Sequence, residues 1–172
     1  MRTTIVVGNP KPASRTRQVA EALLDRLVKD DADRQVIDLA EYSAQIFEWP
    51  SEVMSALNER VAGSDLVVIA SPTYKATYTG LLKAFLDRHA AGALTGVTAI
   101  PVMTGADLGH SMGVDTHLAP LLTELGAVVP GRGWYFVTSS MDRLDTLADE
   151  AAARYAQTIG QIARLTEGAI IP

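Results

Sequence analysis

The segment from Ser71 to Lys83 combines residue types that suit the binding of a planar ligand. Its sequence, SPTYKATYTGLLK, supplies a proline, two tyrosines, a lysine, a glycine and four hydroxyl side chains. Most strand-to-helix connections are shorter than this one, and a planar ring needs aromatic or apolar walls together with hydrogen-bond donors. We expect Pro72 and Tyr74 to border such a ring, with Lys75 and backbone groups at its polar edge. Taken alone, however, a tyrosine in a long turn is more often a packing residue.

A second segment, GNPKPASRT at residues 8–16, has the features of an anion site. It precedes an amphipathic pattern, so its end is a helix N-terminus, where free N–H groups and the helix dipole attract negative charge. Ser14 and Thr16 add hydroxyl donors, and Lys11 and Arg15 add positive charge. The loop matches neither the nucleotide-binding P-loop nor the dinucleotide fingerprint. Ser14 could equally be only an N-cap beside solvated cations, but a neighbouring planar-ligand loop favours a phosphate.

A third segment, MTGADLGH at residues 103–110, is rich in glycine, so its backbone can approach a ligand edge closely. The sequence offers no protein nucleophile and no metal-ligand spacing, and His110 and His117 are better explained as structural or solvated. The chain also has no cysteine. If this protein is an enzyme, we expect a cofactor to carry the chemistry.

The elements that must position these three loops alternate between strand and helix. Short apolar runs predict strands at residues 4–8, 34–39, 65–70, 97–103 and 134–137. Amphipathic patterns predict helices between them, including one over 80–90, one over 108–126 and a last one that ends at Gly168. This alternation predicts an α/β, flavodoxin-like three-layer sandwich whose five-stranded parallel sheet has the order 2-1-3-4-5. In that architecture ligands bind at the carboxyl ends of the strands, where the three loops emerge.

Two local features carry further expectations. Pro101 lies inside the fourth predicted strand, where it requires a bulge or a missing ladder hydrogen bond. The helix over 80–90 is apolar over a broad arc, which predicts packing on a partner subunit as well as on the sheet.

Composition limits the class of protein. The 172 residues suit a single domain spanning 1–172, with 48% hydrophobic and 20% charged residues. The net charge of −5 argues against a nucleic-acid surface. No apolar run approaches the ~18 residues of a membrane span, and no leader pattern precedes the first strand. We therefore expect a cytoplasmic protein that binds neither nucleic acid nor membrane.

The motifs at residues 8–16 and 71–87 resemble the NADPH-dependent FMN reductase family, and most of all the flavin reductases of two-component alkanesulfonate monooxygenase systems. The resemblance implies that FMN is bound with its phosphate at the first loop and its isoalloxazine at the second, and that NADPH or NADH passes hydride to flavin N5. The residues to which the resemblance assigns FMN binding are Lys11, Ser14, Arg15, Thr16, Pro72, Thr73, Tyr74, Lys75 and Gly105, the last near the pyrimidine edge.

The resemblance also implies a homodimer or homotetramer and a flavin-dependent monooxygenase as partner. One segment departs from the family pattern. Reductases of the alkanesulfonate type carry a helix bulge with an inserted aromatic residue near 113–120, whereas this chain has Thr116 and His117 there. Pro120 predicts an irregular helix in either case. The departure concerns the oligomer contacts and the mode of flavin hand-off rather than flavin binding.

The leading interpretation is an NAD(P)H:FMN oxidoreductase that supplies reduced flavin to a monooxygenase. Two alternatives share the fold: a quinone or azo-dye reductase with tightly held FMN, and a flavodoxin-like electron carrier without enzymatic activity. The sequence leaves open the choice between NADPH and NADH, and whether FMN is a substrate or a prosthetic group.

Overall fold

Strands and helices alternate along the chain as the sequence pattern predicts. The computed structural model describes residues 1–29 and 33–167. Its strands are β1 (Arg2–Val7), β2 (Asp33–Asp38), β3 (Leu66–Pro72), β4 (Thr98–Gly105) and β5 (Trp134–Val137). Its α-helices are α1 (Arg15–Leu27), α2 (Glu52–Ala62), α3 (Gly80–Leu86), α4 (Ala119–Glu124) and α5 (Leu144–Glu167). The predicted helix end at Gly168 lies outside the described residues.

The five strands form one parallel sheet in the order β2-β1-β3-β4-β5. Pairing is in register across its centre, where Val7 lies level with Ala70 and Ala70 with Val102. The predicted flavodoxin-like order 2-1-3-4-5 is therefore confirmed. Parallel pairing places the carboxyl ends of the strands at one edge of the sheet, and this edge carries the three loops singled out above.

Helices cover both faces of the sheet and create two apolar cores. Successive side chains of a strand point to opposite faces, so Ile5 and Val7 belong to one core and Val6 to the other. Helices α1 and α5 pack on the first face, and α2, α3 and α4 pack on the second. The central strand β3 is buried at every position, which explains why it is apolar along most of its length rather than alternating.

Pro101 fits into β4 without a bulge. The ladder with β3 continues through Pro101, which lies level with Ile69, and β5 begins to pair only at Val102. Pro101 therefore lies just before the point where β5 joins the sheet. The strand avoids a distortion because no β5 residue pairs with Pro101.

The predicted continuous helix over 108–126 is wrong, because this part of the chain consists of three pieces. A 3-10 turn (Leu108–His110) is followed by a π-helical turn (Val114–Leu118), which leads into α4. The Ala119 N–H donates to the Val114 carbonyl five residues earlier, which is the hydrogen bond that defines a π-turn. The irregularity expected near Pro120 is thus present and precedes the proline.

Most of the broad apolar arc of α3 is buried against the protein's own core. Leu82, Phe85 and Leu86 are completely buried in the core of the second face. The helix is also shorter than predicted, since it ends at Leu86. Packing of this helix on a partner subunit remains a prediction. Among the described residues, no helix has both the length and the apolar character that crossing a bilayer requires.

His89 is an unpartnered imidazole just beyond the end of α3. Both of its ring nitrogens are shielded from solvent and have no hydrogen-bond partner among the described residues. Its ring meets Phe85 edge to face, with centroids 5.6 Å apart. Burial lowers the pKa of His89, and the nearby carbonyls of Leu86 and Phe85 offset this only in part.

We predict that His89 makes the protein less stable in mild acid. In the unfolded chain the imidazole takes up a proton near its ordinary pKa of about 6.5, whereas the folded protein resists protonation until a lower pH. The free energy of unfolding should therefore fall as pH drops below about 6.5, by at most about 1.4 kcal/mol per pH unit for one proton. Urea titrations between pH 5 and 8 should show that His89→Leu has a shallower slope than wild type.

The matched control for this experiment is His117→Gln, which changes an exposed histidine. It should keep the wild-type slope. Parallel slopes for His89→Leu and wild type would show that His89 does not contribute to the acid sensitivity.

Candidate functional site

A cavity of about 500 Å³ opens at the carboxyl edge of the sheet. Its walls come from the three predicted loops and from the first residue after β5. Charge is distributed unevenly around it, since two cations and no acidic side chain are found among its lining residues within the described chain. The lining residues are Asn9, Lys11, Ala13, Ser14, Arg15, Thr16, Gln18, Pro72, Thr73, Tyr74, Thr104, Gly105, Ala106 and Thr138.

The first loop is held in a shape that exposes the N-terminus of α1 to this cavity. Ser14 caps the helix, with its hydroxyl oxygen accepting the Arg17 N–H at 3.3 Å. The residue before it, Ala13, has a left-handed φ of 49°, and its N–H donates to Asp38 Oδ2 at 3.0 Å. Asp38 is a buried residue at the end of β2. The neighbouring strand thus fixes the loop from outside the cavity.

Ser14 fills the first of the two roles that the sequence left open. Its oxygen accepts one helix N–H, which is the capping role. A hydroxyl has one proton to donate besides, so capping does not prevent it from binding an anion. The phosphate-binding role of Ser14 stays a prediction.

The cations near this helix end fall into two groups. Lys11 and Arg15 line the cavity and are exposed, and the closest polar contact of Arg15 is to the carbonyl of Thr138 at 3.5 Å. Arg17, the third residue of α1, is already paired: its Nε donates to Glu21 at 2.9 Å. This hydrogen bond is the main reason that the pKa of Arg17 is raised, with Asp38 contributing at longer range. Of these three cations, Lys11 and Arg15 are therefore the two that can meet the charge of a ligand.

A chain of hydroxyl contacts joins the first loop to the third. Thr16, in the first turn of α1, is buried and lies 2.8 Å from the Thr104 hydroxyl, oxygen to oxygen. Asn9 Nδ2 donates to the Thr16 hydroxyl at 3.1 Å. These contacts fix the distance between the first loop and the third loop on the two sides of the cavity.

The second loop contains a tight hairpin at its tip. Tyr74 and Thr77 exchange backbone hydrogen bonds of 2.9 and 3.2 Å, and the two residues between them, Lys75 and Ala76, have left-handed φ values of 51° and 69°. Such a turn ordinarily uses asparagine and glycine, so the backbone here is strained. Tyr74, 51% exposed, is part of the cavity wall, whereas Lys75 is not among the lining residues and is exposed at the tip.

The hydroxyl groups of the second loop divide into structural and free ones. Thr79 caps α3 and donates to the Gly8 carbonyl at 2.5 Å, which joins the second loop to the first. The Ser71 hydroxyl accepts the Thr79 N–H at 3.0 Å. Thr73 differs, because its hydroxyl is buried in the cavity wall and has no hydrogen-bond partner among the described residues. A buried polar atom without a partner is costly, which makes the Thr73 hydroxyl a candidate for a hydrogen bond to a ligand.

The third loop lies close to a side chain of the neighbouring strand β5. A Cβ added at Gly105 would lie 1.8 Å from the hydroxyl oxygen of Tyr135 on β5, so a larger residue would require the Tyr135 side chain to move. The Thr73 N–H donates to the Thr104 carbonyl at 2.7 Å, which keeps the second and third loops together. Backbone rather than side chains therefore forms this edge of the cavity.

The structure brings eight of the nine predicted site residues into one cavity and leaves Lys75 outside its lining. Sequence reasoning missed Thr138, although the carboxyl end of the fifth strand must lie at the same edge. It also missed Asp38, whose role depends on a contact with Ala13 that no local pattern reveals. His110 and His117 are both exposed. Within the described residues, no group of acidic and histidine side chains could hold a metal ion.

This arrangement fits a phosphate joined to a planar ring. The helix end, two cations and the Ser14 hydroxyl suit the phosphate, whereas the Tyr74 ring, the Gly105 backbone and the unsatisfied Thr73 hydroxyl suit a flat heterocycle. FMN has both a phosphate and a planar ring, and the charges of the cavity-lining residues suit its phosphate. Neither a nucleophile nor a general base faces the cavity in the described part of the chain, so the bound group must supply the reactivity.

Comparison with known proteins gives the same result. Residues 1–142 match the family model described as NADPH-dependent FMN reductase. The FMN reductase (NADPH) of Escherichia coli K12 is 29% identical over 130 residues, covering 74% of this chain and 68% of that protein. The NADH-dependent FMN reductase SfnF of Pseudomonas putida is 26% identical over 155 residues, covering 83% and 81%.

A solved structure of the apo form of the NADH:FMN oxidoreductase EMOB superposes with a TM-score of 0.77 at 26% identity, covering 91% of this chain and 87% of that chain. A shorter similarity, 29% identity over 96 residues and about half of each chain, relates it to the FMN-dependent NADPH-azoreductase of Staphylococcus haemolyticus. The family match over most of the chain, together with the fold and the cavity, shows that the protein belongs to the NADPH-dependent FMN reductase family and is an NAD(P)H:FMN oxidoreductase.

Proposed function

We propose that this enzyme binds FMN in the cavity at the carboxyl edge, reduces it with NAD(P)H, and supplies the reduced flavin to a separate monooxygenase. The observation that carries the proposal is the pairing of two cations at a helix N-terminus with an unsatisfied hydroxyl in the opposite wall. One end suits a phosphate and the other suits a heterocycle. When bound, FMN supplies an acceptor for hydride and so stores two electrons.

The chain contributes binding and orientation. In the proposal, Lys11, Ser14, Arg15 and Thr16 hold the phosphate, and Thr73 donates to or accepts from the polar edge of the ring. Position matters most here, since holding donor and acceptor together can lower a barrier by several kcal/mol. The strained hairpin gives the ring a fixed wall at Tyr74.

Exchange of FMN with solvent and hand-off to a partner are favoured by the surface position of the site. Tyr74 is half exposed and Lys75 is exposed, so the ring wall lies at the edge of the molecule rather than beneath a cover. The sequence resemblance to reductases of two-component systems supports a monooxygenase as recipient. We also propose a homodimer or homotetramer, located in the cytoplasm.

We predict that Arg15→Gln and Lys11→Gln each weaken FMN binding about tenfold, because each removes a charged hydrogen-bond donor from a phosphate. Titration of flavin fluorescence would measure this change. Riboflavin, which has the ring but no phosphate, should bind equally well to wild type and to both variants.

Lys29→Gln is the matched control, since it removes an exposed lysine from the far end of α1 and should leave both affinities unchanged. If the two loop variants weaken riboflavin as much as FMN, the loop does not bind the phosphate.

We predict that Thr73→Val has opposite effects on the free protein and on flavin binding. Removing an unsatisfied buried hydroxyl should raise the free energy of unfolding of the flavin-free protein by about 1 kcal/mol. Removing the ring's hydrogen-bond partner should weaken FMN and riboflavin alike, by about fivefold. Urea unfolding and fluorescence titration would measure the two effects.

Thr104→Val is the control, because the Thr104 hydroxyl already contacts Thr16 and its loss should destabilise the free protein. A Thr73→Val variant that is both less stable and unchanged in flavin affinity would mean that Thr73 is merely a packing residue.

The second candidate, an azoreductase or quinone reductase with resident FMN, is favoured by the azoreductase similarity. The two candidates differ in how NAD(P)H oxidation depends on flavin. For the proposed function, anaerobic NADPH or NADH oxidation should require added FMN and should saturate with it. A purified protein that carries one FMN per chain and reduces quinones or azo dyes far faster than free flavin would favour the second candidate, and absence of any turnover with nicotinamide would leave an electron carrier.

A further inference from the structure

The π-turn before α4 makes a contact network that the proposed activity does not use. Its second residue, Asp115, is 20% exposed and reaches back to the turn that precedes β5. Asp115 Oδ1 accepts the Gly133 N–H at 2.7 Å, and Oδ2 accepts Arg132 Nε at 2.9 Å. One largely buried carboxylate thus binds two consecutive residues of a distant segment.

The far side of this network is anchored to the core. The Tyr155 hydroxyl on α5 donates to the Arg132 carbonyl at 2.8 Å. Burial raises the pKa of Tyr155, so the phenol keeps its proton and remains a donor. Tyr155 itself belongs to the core that α5 shares with α1. The turn at 131–133 is therefore a fixed support against which Asp115 can hold the π-turn.

The near side of the network contacts the proposed flavin wall. Gly113 directly precedes the π-turn, and a Cβ there would lie 3.1 Å from the Ala76 carbonyl oxygen in the strained hairpin. The π-turn is also close to its support, because a Cβ at Gly133 would lie 2.3 Å from Val114 Cγ2. The first approach is between two backbone segments, and the second is between the Gly133 backbone and the Val114 side chain. A shift of the π-turn would be transmitted to the hairpin, which carries Tyr74.

We propose that Asp115 is a positioning residue for flavin binding: by holding the π-turn against the 131–133 turn, it keeps the 74–77 hairpin in its strained, ring-binding shape. This rests on the proposed flavin site, since Tyr74 must form the ring wall for the hairpin's position to matter. The carboxylate acts through the backbone at Gly113 and Ala76 and does not itself line the cavity. The π-turn is what brings Asp115 to face the support, so the irregular helix has a structural purpose here.

The first readout is independent of flavin. In the free protein, the amides of Tyr74 and Thr77 hydrogen-bond each other's carbonyls, so their hydrogen exchange reports hairpin opening. Asp115→Ala should speed their exchange about fivefold, whereas Asp115→Asn, which keeps an acceptor for Gly133, should have a smaller effect. Asp149→Ala removes a carboxylate that pairs with Arg26 at the α1–α5 surface, and serves as a control of similar type that should leave hairpin exchange unchanged.

The second readout is flavin affinity and its coupling to the wall. Asp115→Ala should raise the Kd for FMN and for riboflavin by about fivefold, and this effect should largely vanish in a Tyr74→Ala background. Unchanged exchange at Tyr74 and Thr77 in Asp115→Ala would overturn the proposal even if FMN binds as proposed, and so would faster exchange with unchanged flavin affinity. Additive effects of Asp115→Ala and Tyr74→Ala would equally overturn it. Failure of the flavin site itself would appear separately, as FMN affinity that does not respond to Arg15→Gln.

Discussion

The backbone hydrogen bonds that pair β3 in parallel with β1 on one side and β4 on the other set where every part of the site can lie. Because the three strands are in register, the loops that follow them leave the sheet at the same edge and at nearly the same level. The side-chain contacts then need only span short gaps. Thr16 meets Thr104 across one gap, and Thr79 meets Gly8 across the other. The end of the cavity proposed to bind the phosphate and the end proposed to bind the ring are thereby held at a fixed distance from each other.

Much of this could be predicted from the sequence because it depends on local patterns. The strand order follows from alternating apolar runs, and the cation and hydroxyl residues of the first loop lie within a single turn of a helix end. The missed features depend on contacts between residues distant in sequence. Asp38 shapes the first loop through an N–H 25 positions away, and the Tyr135 side chain on the next strand occupies the space where a Cβ of residue 105 would lie. The sequence predicted an irregularity near Pro120 but not the division of 108–126 into three pieces, because a single π-turn inserts only one residue into an otherwise helical pattern.

Several energetically unfavourable features lie together at the site. Ala13, Lys75 and Ala76 all have left-handed backbones although none is glycine, and the Thr73 hydroxyl is buried without a partner. Each of these costs of order 1–3 kcal/mol, and such features persist only where the surrounding structure imposes them. Here the surroundings can be named: Asp38 holds Ala13, and the π-turn contacts Ala76 through Gly113. Strain and unsatisfied polarity at one cavity support its assignment as the binding site.

The protein has a second cavity of about 530 Å³ beside β5 and α5, lined in part by Arg132 and Arg154, which offers an alternative location for an anion. A crystal structure of the FMN complex decides between the two locations most directly. The account predicts that the phosphate lies within hydrogen-bond distance of the Ser14 and Thr16 hydroxyls, with the ring between Tyr74 and Gly105 and bonded to Thr73. A phosphate found beside Arg132 and Arg154, or a ring that leaves Thr73 unsatisfied, would contradict it.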